Sequence, residues 1–296
     1  MAIKLKAIKI KDFKIQSQIE ISKLTTTYSL EADEDDVKDE LKKVRRKLGE
    51  LQDTLYAHGK YAVLVCLQGM DTAGKDSLIR EVFKDFNARG VVVHSFKVPT
   101  ELELKHDFIW RHYIALPARG KFGVFNRTHY ENVLVTRVHP GYIMGEHLPH
   151  VNSVEDIDDA FWSQRFEQIN NFEKHIAETG TIIFKFFLNL SLGEQKNRLL
   201  RRLDKPSKNW KFSPGDLKER KLWGAYQECY QDALNRTSKP HAPWFNIPAD
   251  DKPTARLIVA KIMYDTLKEY TDIKEPELDD DVKANIALYK EQLSKE

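Results

Sequence analysis

The stretch from Tyr61 to Arg89 limits what this chain can fold into more than any other. Tyr61, Ala62, Val63, Leu64, Val65, Cys66 and Leu67 form an unbroken apolar run, the pattern of a strand covered on both faces in a parallel sheet. Gln68 ends the run. Gly69-Met70-Asp71-Thr72-Ala73-Gly74-Lys75 then matches G-x-x-x-x-G-K, the Walker A form of a phosphate-binding loop, in which glycines let backbone amides turn inward and approach an anion closely. Leu78, Ile79, Val82, Phe83 and Phe86 recur at helical spacing, and Gly90 supplies a stop signal after Arg89. Free amides at the helix start, the helix dipole and the Lys75 ammonium together form an anion site. Gly69, Met70, Thr72, Ala73, Gly74 and Lys75 are its expected holders. One position departs from the usual form. Asp76 stands where a Ser or Thr commonly meets Mg2+, and the carboxylates of Asp71 and Asp76 are hard oxygen ligands able to take over that task.

The chain of 296 residues, 41% of them hydrophobic, is long enough for one elaborated domain or two small ones, and one is favoured here. Its 47 basic and 45 acidic residues leave a net charge of +2, so no global field argues for nucleic acid as a partner. Cys66 and Cys229 give neither a disulfide framework nor a zinc spacing, which suits a reducing cytoplasm. No apolar stretch approaches the roughly 20 residues needed to span a bilayer, and a soluble, cytoplasmic protein with no membrane partner is expected.

Residues 1–36 read as an irregular, solvated arm laid over the domain. Val37, Leu41, Val44, Leu48, Leu51 and Leu55 trace one helical face, with the basic run Lys42 to Lys47 mostly outside it. Val91 to Phe96 reads as a second strand, and Thr100 with Glu103 as a capping box opening a helix through Tyr113. Parallel sheets carry ligands at the carboxyl ends of their strands. Arg111 is therefore either a holder of an acceptor phosphate or an exposed, salt-bridged arginine. Phe122 to Phe125 is a short strand followed by Asn126-Arg127-Thr128-His129-Tyr130-Glu131. In phosphate-loop enzymes an acid at this strand end supports Mg2+. Here that position is Asn126, and Glu131 restores negative charge one turn later, while Arg127 is expected to point at transferring oxygens. His129 and His139 lack partners at metal-ligand spacing and read as structural.

Residues 140–154 read as a loop, about 153–178 as one long helix, and 181–188 as a buried fourth strand. Gln195, Arg198, Arg201 and Arg202 lie on a helix starting near Ser191, with Lys205, Lys208 and Lys211 in the following turn. So dense a cationic stretch beside the ligand edge behaves as a lid over phosphates, and the planar guanidinium suits them better than an ammonium. A helix from Pro214 to Leu234, a fifth strand over 242–247 and a core helix capped by Asp250-Asp251-Lys252 complete the pattern. The chain beyond Thr271 is an acidic, polar tail with a helix expected over 281–293.

Taken together, the phosphate loop through Asp76, the stretch Phe125 to Glu131, the lid signature around Gln195, Arg198, Arg202, Trp210-Lys211-Phe212-Ser213-Pro214 and Asp216, and Ala242-Pro243-Trp244 with Asp250-Asp251-Lys252 and Arg256 resemble the polyphosphate kinase 2 family, in its class III form. The resemblance runs from about residue 37 to residue 268. It implies an α/β P-loop kinase fold, a five-stranded parallel sheet between helices of thymidylate-kinase type with a helical lid, as a domain over 37–270 whose lid spans about 191–216, followed by a tail or helix over 271–296. It also implies reversible transfer of the terminal phosphoryl group of inorganic polyphosphate to AMP and ADP, giving ATP, with Mg2+ or Mn2+ as cofactor and a homo-oligomer such as a tetramer. Most of the family carries Asp in place of Asn126, and Asn126 with Glu131 resembles the subclass acting on nucleoside monophosphates as well as diphosphates. On this reading Asp71, Lys75, Arg127, Glu131 and Arg202 are catalytic. Met70, Arg111, Asn126, Arg198 and Lys208 bind substrate beside the loop backbone, and Asp71 with Asp76 or Glu131 holds metal. Two rivals remain at this stage, an ATP-dependent kinase of a nucleotide or other small molecule and a non-catalytic polyanion-binding module.

Overall fold

The structure is a computed structural model that describes residues 5–296. In chain order its elements are α1 (Glu34–His58), β1 (Ala62–Gln68), α2 (Lys75–Val82), β2 (Val91–Ser95), α3 (Glu101–Leu104), α4 (Trp110–Tyr113), β3 (Phe122–Asn126), α5 (Val135–Val138), α6 (Asp159–Glu178), β4 (Thr181–Asn189), α7 (Leu192–Asp204), α8 (Pro206–Asn209), α9 (Pro214–Lys221), α10 (Trp223–Thr237), β5 (Trp244–Pro248), α11 (Lys252–Leu267) and α12 (Asp280–Ser294). The five strands are all parallel and lie in the order β2-β3-β1-β4-β5. β1 is central, and every residue of β1, β3, β4 and β5 is buried. Continuous apolar runs are what a strand with helices on both faces requires.

One face packs against α1, α2 and α11 through Leu48, Leu55, Val82, Ile258 and Ile262. The other packs against α6 and α10 through Phe166, Ile169, Tyr230 and Leu234. Burial of a Leu or Val side chain stabilises by about 1.5–3 kcal/mol. The apolar stripe of α1 therefore decides which way that helix faces, and Lys42, Lys43, Arg46 and Lys47 stay on its outer side. No helix among the described residues is long and apolar enough to cross a membrane.

Several expected elements are shorter or broken, each for a local reason. The helix after the phosphate loop ends at Val82, and Phe83 to Phe86 form a turn whose two rings meet edge to face. The capping box at Thr100 is present, but Asp107 Oδ1 accepts from the N–H groups of Ile109 and Trp110, so the chain stops after Leu104 and starts again. Ser153 caps only a short 3-10 turn, and α6 begins after a second cap, Asp158. The stretch 140–154 holds a 3-10 turn over Pro140–Glu146. The helix expected from Pro214 to Leu234 is two, divided at Leu222.

The N-terminal arm, apart from residues 1–4, which lie outside the described residues, is less solvated than its sequence suggests. Phe13, Ile15 and Leu30 are buried. Ile15 N donates to Trp244 O and Asn246 N donates to Phe13 O, at 2.9 and 2.8 Å, so the arm makes an antiparallel bridge along β5. That bridge covers one edge of the sheet. Among the described residues the other edge, β2, has no such cover, and Val92 and Val93 are exposed.

Candidate active site

The carboxyl ends of β1, β3, β4 and β5 converge on the phosphate loop. Gly69 has φ +154°, and a Cβ there would stand 2.8 Å from Leu188 O, so the loop can pass β4 only as glycine. Gly74, at φ +104°, turns the chain into α2. Lys75 Nζ donates to Gly69 O at 2.6 Å, folding its ammonium onto the loop. Burial, together with the Arg127 charge, lowers its pKa to about 8.

A cavity of about 540 Å³ opens over this loop. Ten of its sixteen lining residues are Lys or Arg, against the two carboxylates Asp71 and Asp76. Lys75, Arg127, Arg198, Arg202 and Lys208, all expected from the sequence, line it. So do Lys252 and Arg256, one turn apart at the start of α11, which the sequence reading quoted without a role. The signal was available, because α11 follows the carboxyl end of β5, the same ligand edge. Burial and the nearby charges of Arg198, Arg201 and Arg256 bring Lys252 to a pKa of about 8. Cations crowded at this density mark a place for an anion.

Arg198 was expected to grip a donor chain, and the structure gives its guanidinium another occupation. Nε donates to Glu194, Nη1 to Thr72 O and Ala73 O, and Nη2 to Ala249 O and Asp250 O, at 2.6 to 3.1 Å. All five N–H groups are thus engaged, and Arg198 clamps the phosphate loop to the end of β5. Its charge still faces the cavity. Gln195 Nε2 donates to Asp71 O, and Arg220 Nη1 to Gln195 Oε1, which fixes the root of the lid against the loop. Arg202, further out, is held by Asp216 at 3.0 Å and by Lys211 O.

A second cavity, of about 750 Å³, lies between the segment after β2 and residues 127–146. Phe96, Val98, Pro99, Leu104, Val135 and Tyr142 make it largely apolar, and Arg111, Glu131 and Asn132 are among its polar members. Arg111 lines this cavity while donating to Lys97 O at 2.9 Å and pairing with Glu103 at 3.1 Å. Arg111 is thus salt-bridged, though largely covered rather than exposed, and it borders a ligand-sized space. The apolar lining itself went unread, because its residues come from short segments that carry no shared motif.

Arg127 belongs to both cavities. Its Nη2 donates to Asp71 Oδ1 at 2.9 Å and its Nη1 to Glu131 Oε2 at 3.2 Å. The charge of Glu131 outweighs burial and, with Asp71, raises the arginine pKa above its ordinary value. The guanidinium stands between those two carboxylates, so Glu131 does not join Asp71 in one cluster, contrary to its expected place as a metal ligand. Asn126 Nδ2 donates to Asp76 Oδ1 at 2.6 Å and thereby orients a carboxylate rather than replacing one. Asp71 and Asp76 each use one oxygen on these partners and face the same cavity, a donor set that fits Mg2+ with phosphate and water completing its shell. No cluster of three or more His, Cys, Asp or Glu suited to a metal occurs among the described residues. His129 and His139 meet Glu173 and Glu219, in line with structural roles.

A phosphate loop at the head of a parallel sheet, under a cationic lid and beside a second cavity, defines a phosphotransferase of the P-loop kinase class. The family model described as Polyphosphate kinase 2 (PPK2) matches residues 31–275. The chain is 47% identical over 222 residues to an ADP-polyphosphate phosphotransferase of Rhodopseudomonas palustris, covering 75% of this chain and 76% of that protein. It is 44% identical over 225 residues to an AMP/ADP-polyphosphate phosphotransferase of Meiothermus ruber, covering 76% and 79%. The crystal structure of polyphosphate kinase 2 from Arthrobacter aurescens superposes with a TM-score of 0.86 at 37% identity, covering 95% of this chain and 96% of that one. The chain belongs to the polyphosphate kinase 2 family.

Proposed function

We propose that this enzyme transfers the terminal phosphoryl group of inorganic polyphosphate to AMP and to ADP, reversibly, with ATP as the product of the second transfer. The observation that carries the reading is the position of Arg127, whose guanidinium borders a cationic cavity on one side and a largely apolar one on the other. A chain of phosphates suits the first and a nucleoside with its phosphate suits the second. The acceptor's phosphate oxygen attacks the terminal phosphorus in line. A new P–O bond forms as the anhydride bond behind it breaks, and the polyphosphate leaves one unit shorter.

Lys75 and the loop amides hold the transferring group, while Arg127 offsets the charge on its oxygens as it passes between the cavities. Lys208, Lys252 and Arg202 hold the donor chain, and Arg111 stands near the acceptor phosphate. Asp71 and Asp76 would hold Mg2+, or Mn2+ in its place, which neutralises phosphate charge when bound. Glu131 holds Arg127 from the acceptor side. Acceptance of AMP as well as ADP rests on Asn126 and Glu131 and on the likeness to the Meiothermus ruber enzyme. Two free, buried cysteines support a cytoplasmic setting. A homo-oligomer, a tetramer on the family resemblance, has the open β2 edge and the exposed face of α12 available to it.

The deciding experiment is a time course of AMP, ADP and ATP with Mg2+ and long-chain polyphosphate as sole donor. Sequential appearance of ADP and ATP supports the proposal. Transfer from ATP alone would make the protein an ATP-dependent kinase, and binding without turnover would make it a polyanion-binding module.

A further inference from the structure

Beneath the site lies a charged group that the proposed transfer does not use. Lys185, on β4, and Glu173, on α6, are both fully buried, and Lys185 Nζ donates to Glu173 Oε2 at 2.6 Å. The same ammonium donates to Tyr130 Oη at 2.8 Å and to Thr237 O at 2.7 Å, which engages all three of its N–H groups. Glu173 Oε1 accepts from Tyr130 Oη–H at 2.8 Å and meets His129 Nε2 at 3.1 Å. A buried ion pair is commonly no more stabilising than well-packed apolar side chains of the same volume. Stability alone therefore does not account for it.

The turn it grips has an unusual backbone. Arg127 has φ +61°, a left-handed conformation disfavoured for a non-glycine residue and persisting only where the surroundings fix it. On the preceding side, Asn126 O is held by the N–H of Phe96 at 3.1 Å. On the following side, the buried Thr128 Oγ1 accepts from Gln68 Nε2 and from Tyr130 N, both at 3.1 Å. The next two residues, His129 and Tyr130, are the ones that Glu173 and Lys185 hold.

We infer that the buried Lys185–Glu173 pair is a positioning device for Arg127: by anchoring His129 and Tyr130 it keeps the Arg127 turn left-handed and the guanidinium set between Asp71 and Glu131. Lys185 and Glu173 act through Arg127 and touch neither substrate. The inference rests on the proposed function. Failure of that reading would be seen in the unmodified enzyme, whereas failure of this one would be seen only in the variants.

The test compares the paired apolar replacement Lys185→Met with Glu173→Leu, which leaves no unpaired charge, in the unmodified enzyme and in an Arg127→Ala background. A small misplacement of a catalytic group costs about 10- to 100-fold in rate, so the pair should lower kcat by that factor, with both KM values within about twofold. In the Arg127→Ala background it should lower kcat no further. An equal loss in both backgrounds, or unchanged kcat in the first, would overturn the inference. Should the paired variant not fold, Tyr130→Phe keeps the ion pair and core volume and removes one link. It should lower kcat several-fold only when Arg127 is present, and equal effects in the two backgrounds would count against the device. A crystal structure of either variant supplies a readout without turnover. Arg127 relaxed to negative φ supports the inference, and Arg127 unmoved at positive φ overturns it.

Discussion

The two cavities that meet at Arg127 are built on opposite principles. The cationic one is assembled from side chains carried on regular helices around the phosphate loop. Lys75 opens α2, Arg198, Arg201 and Arg202 share α7, and Lys252 and Arg256 open α11. Its lining is suited to a highly charged anion. The apolar one is walled by short segments, the stretch from Phe96 to Leu104 and the turns from Thr128 to Glu146. On the proposed function this contrast would let one guanidinium address a donor selected by charge and an acceptor selected by shape, with neither substrate competing well for the other's place.

Substitutions can break or sharpen that contrast. The largest effect is expected from Arg127→Ala, since loss of a transition-state arginine costs about a thousandfold in kcat. A rise confined to one substrate's KM with kcat intact would assign Arg127 to that cavity alone. Next, Lys208→Ala combined with Lys252→Ala should raise the polyphosphate KM by roughly a hundredfold or more, because each lost charged hydrogen bond is worth about 1.5 kcal/mol or more. The acceptor KM should hold, and the dependence of the polyphosphate KM on salt should flatten. Equal shifts in both KM values would dissolve the distinction between the cavities. Conversely, Leu104→Ala on the apolar wall should raise the acceptor KM by up to about tenfold and leave the polyphosphate KM unchanged, as steady-state titrations of each substrate would read.

The smallest effect is the pH dependence of donor binding. In the ligand-free protein Lys75 has a pKa of about 8, below its ordinary value because burial and Arg127 oppose its charge. Below pH 8 the ammonium is present and waiting for an anion. As pH rises from 8 to 9 the lysine becomes mostly neutral until polyphosphate draws a proton back, so over that unit donor affinity should weaken by at most about fivefold. Calorimetry at pH 9 in buffers of differing ionisation heat should show proton uptake that Lys75→Met diminishes. Binding with no uptake would remove the role of burial at this lysine. Lys252, with a pKa also about 8, accounts for the uptake that remains.

Much of this was legible in the chain itself. The runs 62–67 and 181–188 announce strands buried on both faces, and the loop and the lid arginines announce phosphate, because each signal is local and carried by residue type. Other features depended on distant partners. Arg198 reads as a phosphate ligand by composition, and only the approach of four carbonyls from the phosphate loop and the end of β5 makes it a clamp. The long helices expected at 100–113 and 153–178 fail where Asp107 and Asp158 offer competing caps, a choice that periodicity alone does not resolve. The left-handed backbone of Arg127 leaves no trace in its neighbours' identities, since none of them is glycine.

The bridge between the N-terminal arm and β5 has a consequence for how the protein comes into being. Residues 13–15 are made well before their partners at 244–246. A nascent chain can lay down β1 to β4 early, but the segment around residues 13–15 must stay unmated until β5 has been made. Covering of that sheet edge is then a late, long-range step, slow in the way distant pairings are.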